Sequence, residues 1–258
     1  MNSHHDEQEG QISEVLGIGI HAISYPALCK KIAEWIKDRS VAKSCYYVNP
    51  HSIVMTSSDS TFREAIQSAD LVMADGAGVI LASKILGLPL RERVSGPTSM
   101  LKVIEFGREH SFRHYFFGAS EECLGKLSQN ILQKYPDAAI VGSESPPFRE
   151  VSDEETSAMV QRINDSGANV LWVGLGAPKQ EKWIADNQDK LNVNVVLGVG
   201  AAFDYHAGLV KWPPEWIRRI GLEWAYRFVQ QPKRLLRRNL NIFVFLTRVL
   251  GSRISKAK

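Results

Sequence analysis

Four short segments set side chains able to do chemistry beside glycines that let backbone approach a ligand. The first is Ala74-Asp75-Gly76-Ala77-Gly78, an acid followed by small residues. It comes straight after the apolar run Leu71–Met73 and before a helix-like stretch. An acid at the carboxyl end of a parallel strand lies where open α/β sheets bind ligands, and a helix N-terminus beyond it favours an anion. Asp-Gly is also a common turn pair, so the segment reads as a plain turn as well. The second is Arg91-Glu92-Arg93-Val94-Ser95-Gly96-Pro97-Thr98, whose arginines suit a diphosphate because the planar fork binds oxygens in pairs. Here Thr98 reads as an N-cap, and a solvated surface loop is the alternative. The third, Gly174-Leu175-Gly176-Ala177-Pro178-Lys179-Gln180-Glu181, has the form of a βα loop for a phosphate or a sugar. The Gln180 amide both donates and accepts, which suits sugar hydroxyls. The fourth is Gly198-Val199-Gly200, a second glycine turn after a strand.

What is missing narrows the chemistry. The chain has no GxGxxG fingerprint and no Walker A loop, which argues against an oxidoreductase on a Rossmann-like sheet and against a P-loop enzyme. It has no DxD pair, no GxSxG elbow and no zinc-type spacing among His51, His110, His114 and His206. Cys29, Cys45 and Cys123 form no CxxC and read as reduced core thiols of a cytosolic protein.

The elements that must position these segments alternate between short apolar runs and helical patterns. Strands are predicted at Ser44–Val48, Leu71–Ala74, His114–Phe117, Ala139–Val141, Val170–Gly174 and Val195–Val199. Helices are predicted at Pro26–Lys37, Gly78–Leu86, Thr98–Glu109, Glu121–Lys134, Asp153–Asn164 and Pro178–Gln188. Ser152 and Glu155 fit a capping box for the fifth helix. The alternation predicts an α/β, Rossmann-like, mostly parallel sheet with helices on both faces. We expect residues 1–12 to be disordered, 13–210 to form the α/β core, and 211–258 to form a basic helical appendage.

Charge sets that last segment apart. Residues 211–258 carry 12 Lys/Arg against two acids, Glu215 and Glu223. The whole chain has 31 basic and 28 acidic residues, so residues 1–210 hold 19 against 26 and are acidic. Such asymmetry points to an anionic partner, either a nucleic acid met by a basic arm or a membrane surface. The most apolar run, Asn239–Leu250, contains Arg248 and is too short to span a bilayer, so any membrane contact is expected to be peripheral.

Taken in order, Asn49-Pro50-His51-Ser52, Asp75-Gly76, Arg93-Val94-Ser95-Gly96, the Gly174–Glu181 block, Gly198-Val199-Gly200 and Gly221-Leu222-Glu223-Trp224-Ala225-Tyr226-Arg227 resemble the WecG/TagA/CpsF family of bacterial glycosyltransferases (glycosyltransferase family 26). The resemblance covers about residues 14–240. It implies an inverting transfer from a UDP-sugar donor to a sugar on a lipid diphosphate, undecaprenyl diphosphate, in surface polysaccharide synthesis. The transferred sugar would be of the N-acetylmannosamine, hexose or uronic-acid type. No cofactor, metal or nucleic acid would be needed, and homo-oligomerisation is left open. By the same likeness Asp75 would be the general base, Arg93 would bind the donor diphosphate or hold the site's geometry, and Gln180 would contact sugar or nucleotide. Asn49, Gly76, Gly96, Gly176, Lys179, Glu181 and Gly200 would line the substrate pocket. Arg227, Arg234 and Arg237 would reach the donor diphosphate from one helix face, if Pro232 does not interrupt that helix. Trp212, Trp216, Trp224 and Tyr226 would anchor at the lipid interface or pack the appendage. The protein would then sit in the cytoplasm, on the inner face of the cytoplasmic membrane. One departure stands out: Tyr47 occupies a position where the family often has Thr.

Overall fold

A computed structural model describes residues 10–38, 41–90, 92–230 and 232–256, and for 219, 233–239 and 255–256 the backbone alone. In chain order the elements are β1 (Ile12–Val15), β2 (Ile18–His21), α1 (Tyr25–Asp38), β3 (Lys43–Val48), α2 (Pro50–Met55), α3 (Ser60–Gln67), β4 (Leu71–Ala74), α4 (Ala77–Leu86) and α5 (Gly96–Gly107). There follow β5 (Arg113–Gly118), α6 (Glu121–Lys134), β6 (Ala139–Glu144), α7 (Asp153–Asp165), β7 (Val170–Gly174), α8 (Lys179–Asn187), β8 (Val195–Gly198) and α9 (Ala202–His206). The chain closes with α10 (Glu215–Arg219), α11 (Glu223–Gln230) and α12 (Pro232–Lys256).

Six strands form one parallel sheet in the order β4-β3-β8-β7-β5-β6. All of β4 and β8 and most of β3 and β7 are buried, as expected of strands covered on both faces. The six predicted strands and six predicted helices are present, with ends shifted by a few residues at most. The capping box of Ser152 and Glu155 forms at the start of α7, and the three cysteines are free and buried. The reading of Thr98 as an N-cap is corrected: α5 starts at Gly96, so Thr98 lies inside its first turn. Residues 10–12, placed in the expected disordered start, belong to a hairpin. Gly10 and Gln11 bond to Ala22 and extend the β1–β2 hairpin, while residues 1–9 lie outside the described set.

The chain divides into two compact units. The first comprises the N-terminal segment up to Ser24, Tyr47–Ser95 and Trp212–Lys258. In it, the Val72 amide donates to Nδ1 of His21 at 3.1 Å, fastening β2 to β4. The helix α12 packs against α2 and α4. Its Phe245 and Val249 are fully buried, and Asn241 and Arg248 make 2.8 Å hydrogen bonds to His51 and Ser57. The basic appendage thus supplies part of this unit's own core.

The second unit comprises Tyr25–Tyr46 and Gly96–Lys211. Trp172, Phe116, Phe117 and Phe203 fill its centre. Trp172 donates its indole N–H to Nδ1 of His114 at 3.2 Å. Burial pushes the His114 imidazole down to about 3, so the ring is neutral and accepts at Nδ1.

Candidate active site

In the first unit the acid-glycine turn is built by three neighbouring segments. The Asp75 amide donates to the Val48 carbonyl at 2.8 Å, and the Val94 amide donates to the Ala74 carbonyl at 2.9 Å. These bonds bring Asn49, Asp75 and Arg93 to the carboxyl end of β4, where the sequence placed the acid. Gly76 has φ of 106°, a conformation closed to most side chains, and lets α4 start immediately after the acid. A Cβ on Gly78 would lie 2.6 Å from Pro50 Cγ, so the Asn49-Pro50 turn rests directly on this loop.

The Asn49 side chain is engaged by backbone amides. Its side-chain oxygen accepts from the amides of His51 at 3.0 Å and Ser52 at 3.1 Å, and Ser52 Oγ accepts from the Asn49 amide at 2.8 Å. That is a capping box for α2, which satisfies amides a helix start leaves open. Asn49 therefore shapes the turn beside Asp75 by holding α2.

Arg93 is held by residues of the basic segment. Its guanidinium makes a two-pronged contact with the Glu223 carboxylate, both prongs at 2.7 Å, and a longer 3.4 Å bond to the Arg218 carbonyl. Gly221, two residues earlier, packs so tightly on Ala77 that no side chain fits there. The segment Gly221–Glu223 is thereby seated against the turn that carries Asp75. Glu223 had no role in the sequence reading, although it is one of only two acids in residues 211–258. An acid in so basic a segment was the available signal.

The single helix face expected for Arg227, Arg234 and Arg237 is conditional on Pro232, and these residues fall on two described helices. Arg227 lies on α11, which ends at Gln230, and Pro232 opens α12. Proline favours the first position of a helix because its missing N–H is not needed there. Arg227 is partly buried, whereas the side chains of Arg234 and Arg237 lie outside the described residues.

The second unit carries the two glycine loops. Gly176 adopts φ of 79° after β7, and the turn leads through a cis Ala177–Pro178 bond into α8. Pro178 caps this helix instead of opening it, and Lys179 is its exposed first residue. Gln180 and Glu181 point inward and are 4% and 2% exposed. Gln180 Oε1 accepts from the amides of Gly176 at 3.2 Å and Gly200 at 2.9 Å, and its Nε2 donates to Glu181 Oε1 at 2.8 Å. Burial pushes the Glu181 carboxyl up to about 7, against the smaller opposing effect of the Gln180 bond. Gly96, expected at the substrate pocket, is the buried first residue of α5. Among the described residues no group of three His, Cys, Asp or Glu side chains is placed to hold a metal ion.

The parallel sheet defines an α/β protein, with Asp75 following β4 in the first unit and the glycine loops following β7 and β8 in the second. Comparison with known proteins gives the family. The model of the glycosyl transferase WecG/TagA/CpsF family matches residues 13–258. Among similar proteins are the N-acetylglucosaminyldiphosphoundecaprenol N-acetyl-beta-D-mannosaminyltransferases of Staphylococcus aureus. That of strain MW2 is 28% identical over 211 residues, covering 81% of each chain. That of strain MRSA252 is 30% identical over 212 residues, again covering 81% of each. The chain belongs to the WecG/TagA/CpsF family of glycosyltransferases. This favours the glycosyltransferase reading over the oxidoreductase and nucleic-acid-binding alternatives.

Proposed function

We propose that the protein transfers an N-acetylmannosamine-type sugar from a UDP-sugar to N-acetylglucosamine carried on undecaprenyl diphosphate. The observation that carries this reading is the family match, which runs through every motif described above and into α12. The names of the similar staphylococcal enzymes support the choice of acceptor and sugar.

In the proposed reaction the acceptor hydroxyl attacks the anomeric carbon from the face opposite the leaving group. Asp75 takes the hydroxyl proton as the new C–O bond forms, the bond from the anomeric carbon to the diphosphate breaks, and UDP departs with both electrons. The anomeric centre is inverted. A positioned base contributes about 10²–10⁴-fold. Arg227, with Arg234 and Arg237, offsets the negative charge gathering on the departing diphosphate. The glycine loops after β7 and β8 serve the donor's phosphates or sugar.

Membrane association belongs to the same proposal. No described helix is long and apolar enough to cross a bilayer. Exposed apolar side chains instead gather in the basic segment: Trp216 is 65% exposed, Trp224 46%, Val229 80% and Phe243 65%. Trp212 is half-buried beneath the Arg218 guanidinium, 4.4 Å from its ring, and Tyr226 is also half-buried, so these two pack the segment. Aromatic side chains favour the headgroup zone, and each nearby cation adds about 1 kcal/mol on an anionic leaflet. The acidic body makes this segment the part that faces an anionic inner leaflet.

The test is a panel of UDP-sugars with a short-chain lipid-diphosphate N-acetylglucosamine acceptor, read by mass spectrometry. We expect an N-acetylhexosamine adduct, UDP release that depends on acceptor, and rates unchanged by EDTA. Asp75→Asn should fold normally and lose about 10²–10⁴-fold in kcat. Turnover of that variant near the wild-type rate would remove Asp75 from the role of base.

A further inference from the structure

We propose that Gln180 and Glu181 form a buried staple, two positioning residues that lock the glycine loops after β7 and β8 into one arrangement and do not themselves touch the transferred sugar. This rests on the proposed function only in assigning those loops to the donor.

The geometry of the amide carries the argument. A side-chain amide oxygen has two acceptor sites, and the Gly176 and Gly200 amides use both. Those donors require oxygen on that side of the amide, and the Glu181 carboxylate at 2.8 Å requires nitrogen on the other. The orientation of Gln180 is thus fixed at three points. The glycines close around it. A Cβ on Gly198 would lie 3.2 Å from Gln180 Nε2, and one on Gly200 would lie 3.6 Å from Oε1. On the helix side, Tyr46 donates its hydroxyl to the Glu181 carbonyl at 3.3 Å and steadies the first turn of α8.

Glu181 is placed to hold, not to react. Its Oε1 receives the Gln180 bond, and Oε2 is buried without a hydrogen bond among the described residues. An acid in that setting is shut off from a substrate hydroxyl. Its burial carries a cost, and the natural return for that cost is a rigid amide serving two loops. Gly176 and Gly200 lie 24 positions apart in sequence, and the Gln180 oxygen bonds both amides at once.

The staple can be reversed, which gives the experiment. Gln180→Leu leaves two loop amides without their acceptor. Gln180→Glu alone sets two carboxylates face to face. Gln180→Glu with Glu181→Gln keeps all three hydrogen bonds, with the central donor and acceptor exchanged. Glu181→Gln alone keeps the acceptor for Gln180. We measure donor KM and kcat for the full chain, and amide hydrogen exchange at Gly176 and Gly200. Gln180→Leu and Gln180→Glu should lose about 100-fold in kcat/KM, mainly through the donor KM, with faster exchange at both glycines. Glu181→Gln should lose only about fivefold. The exchanged pair should recover both slow exchange and most of the activity.

Two results would overturn the staple. Loss of turnover in Glu181→Gln with exchange unchanged would make Glu181 a chemical group. Slow exchange regained by the exchanged pair without activity would make Gln180 a direct ligand. If the wild type transfers no sugar in the panel, the function reading fails by itself. The exchange rates of wild type, Gln180→Leu and the exchanged pair then still decide the staple.

Discussion

Two carboxylates sit beside glycines in this chain, and their surroundings give them opposite duties. Asp75 stands at the end of β4 with partial solvent access. Glu181 is buried, and its carboxyl is pushed from the ordinary 4.5 up to about 7. Between those values the folded chain keeps a proton that the unfolded chain has released. Stability therefore falls as pH rises through that window and levels off above it. The span corresponds to roughly 3 kcal/mol. Glu181→Gln should remove this slope, so the variant should gain in Tm relative to wild type at pH 8 and not at pH 4.5. Parallel slopes for the two proteins in thermal melts would contradict the burial argument. His114 works in the other direction. It is neutral in the fold at about 3, against 6.5 when free, so stability is present above 6.5 and is lost as pH falls below it. Acid unfolding should begin near pH 6, followed by the tryptophan fluorescence of its partner Trp172.

Among the elements, the parallel sheet was legible because continuous apolar runs ended in glycine turns, a pattern with few other solutions. Asp75, Gly176 and Gly200 were legible for the same reason: strand ends are visible in sequence. The hairpin of β1 and β2 was not. Its turn is Leu16-Gly17, with φ of 52° and 81°, and leucine is not a residue that announces a left-handed turn. The backbone partners of Asn49 and Gln180 were hidden too. Side-chain amides at a strand end look the same in sequence whether they face a ligand or bind backbone, and only the partner amides decide. The Arg93–Glu223 contact joins positions 130 apart, beyond any local pattern. Arg93→Lys keeps the charge and loses the fork. It should cost about 2 kcal/mol of stability and make the segment around Glu223 more sensitive to protease, with Glu223→Gln giving the same phenotype. Unchanged digestion would show that the contact does not seat α11.

For the molecule as a whole, the basic segment has a second identity. It was legible as a charged arm because charge is read by counting. Its anchorage was not, because Phe245 and Val249 look like any apolar residues of an amphipathic helix until α2 and α4 are seen beneath them. Phe245→Ala should destabilise the chain by about 3–5 kcal/mol. Removing residues 212–258 should lower Tm and expose dye-binding apolar surface, beyond any loss of vesicle binding. A truncated protein that melts like the full chain would show that the first unit does not need α12.

The composite make-up of that unit has a consequence in time. Its three segments, up to Ser24, Tyr47–Ser95 and from Trp212 onward, are far apart in sequence. The ribosome makes the chain from its N-terminus, and domains fold as their parts emerge. The strand bearing Asp75 is therefore translated long before the helix that covers its neighbours. Until Phe245 and Val249 emerge, α2 and α4 have an apolar face with nothing on it. A ribosome stalled before α12 is made would hold a chain whose α2 and α4 chaperones bind.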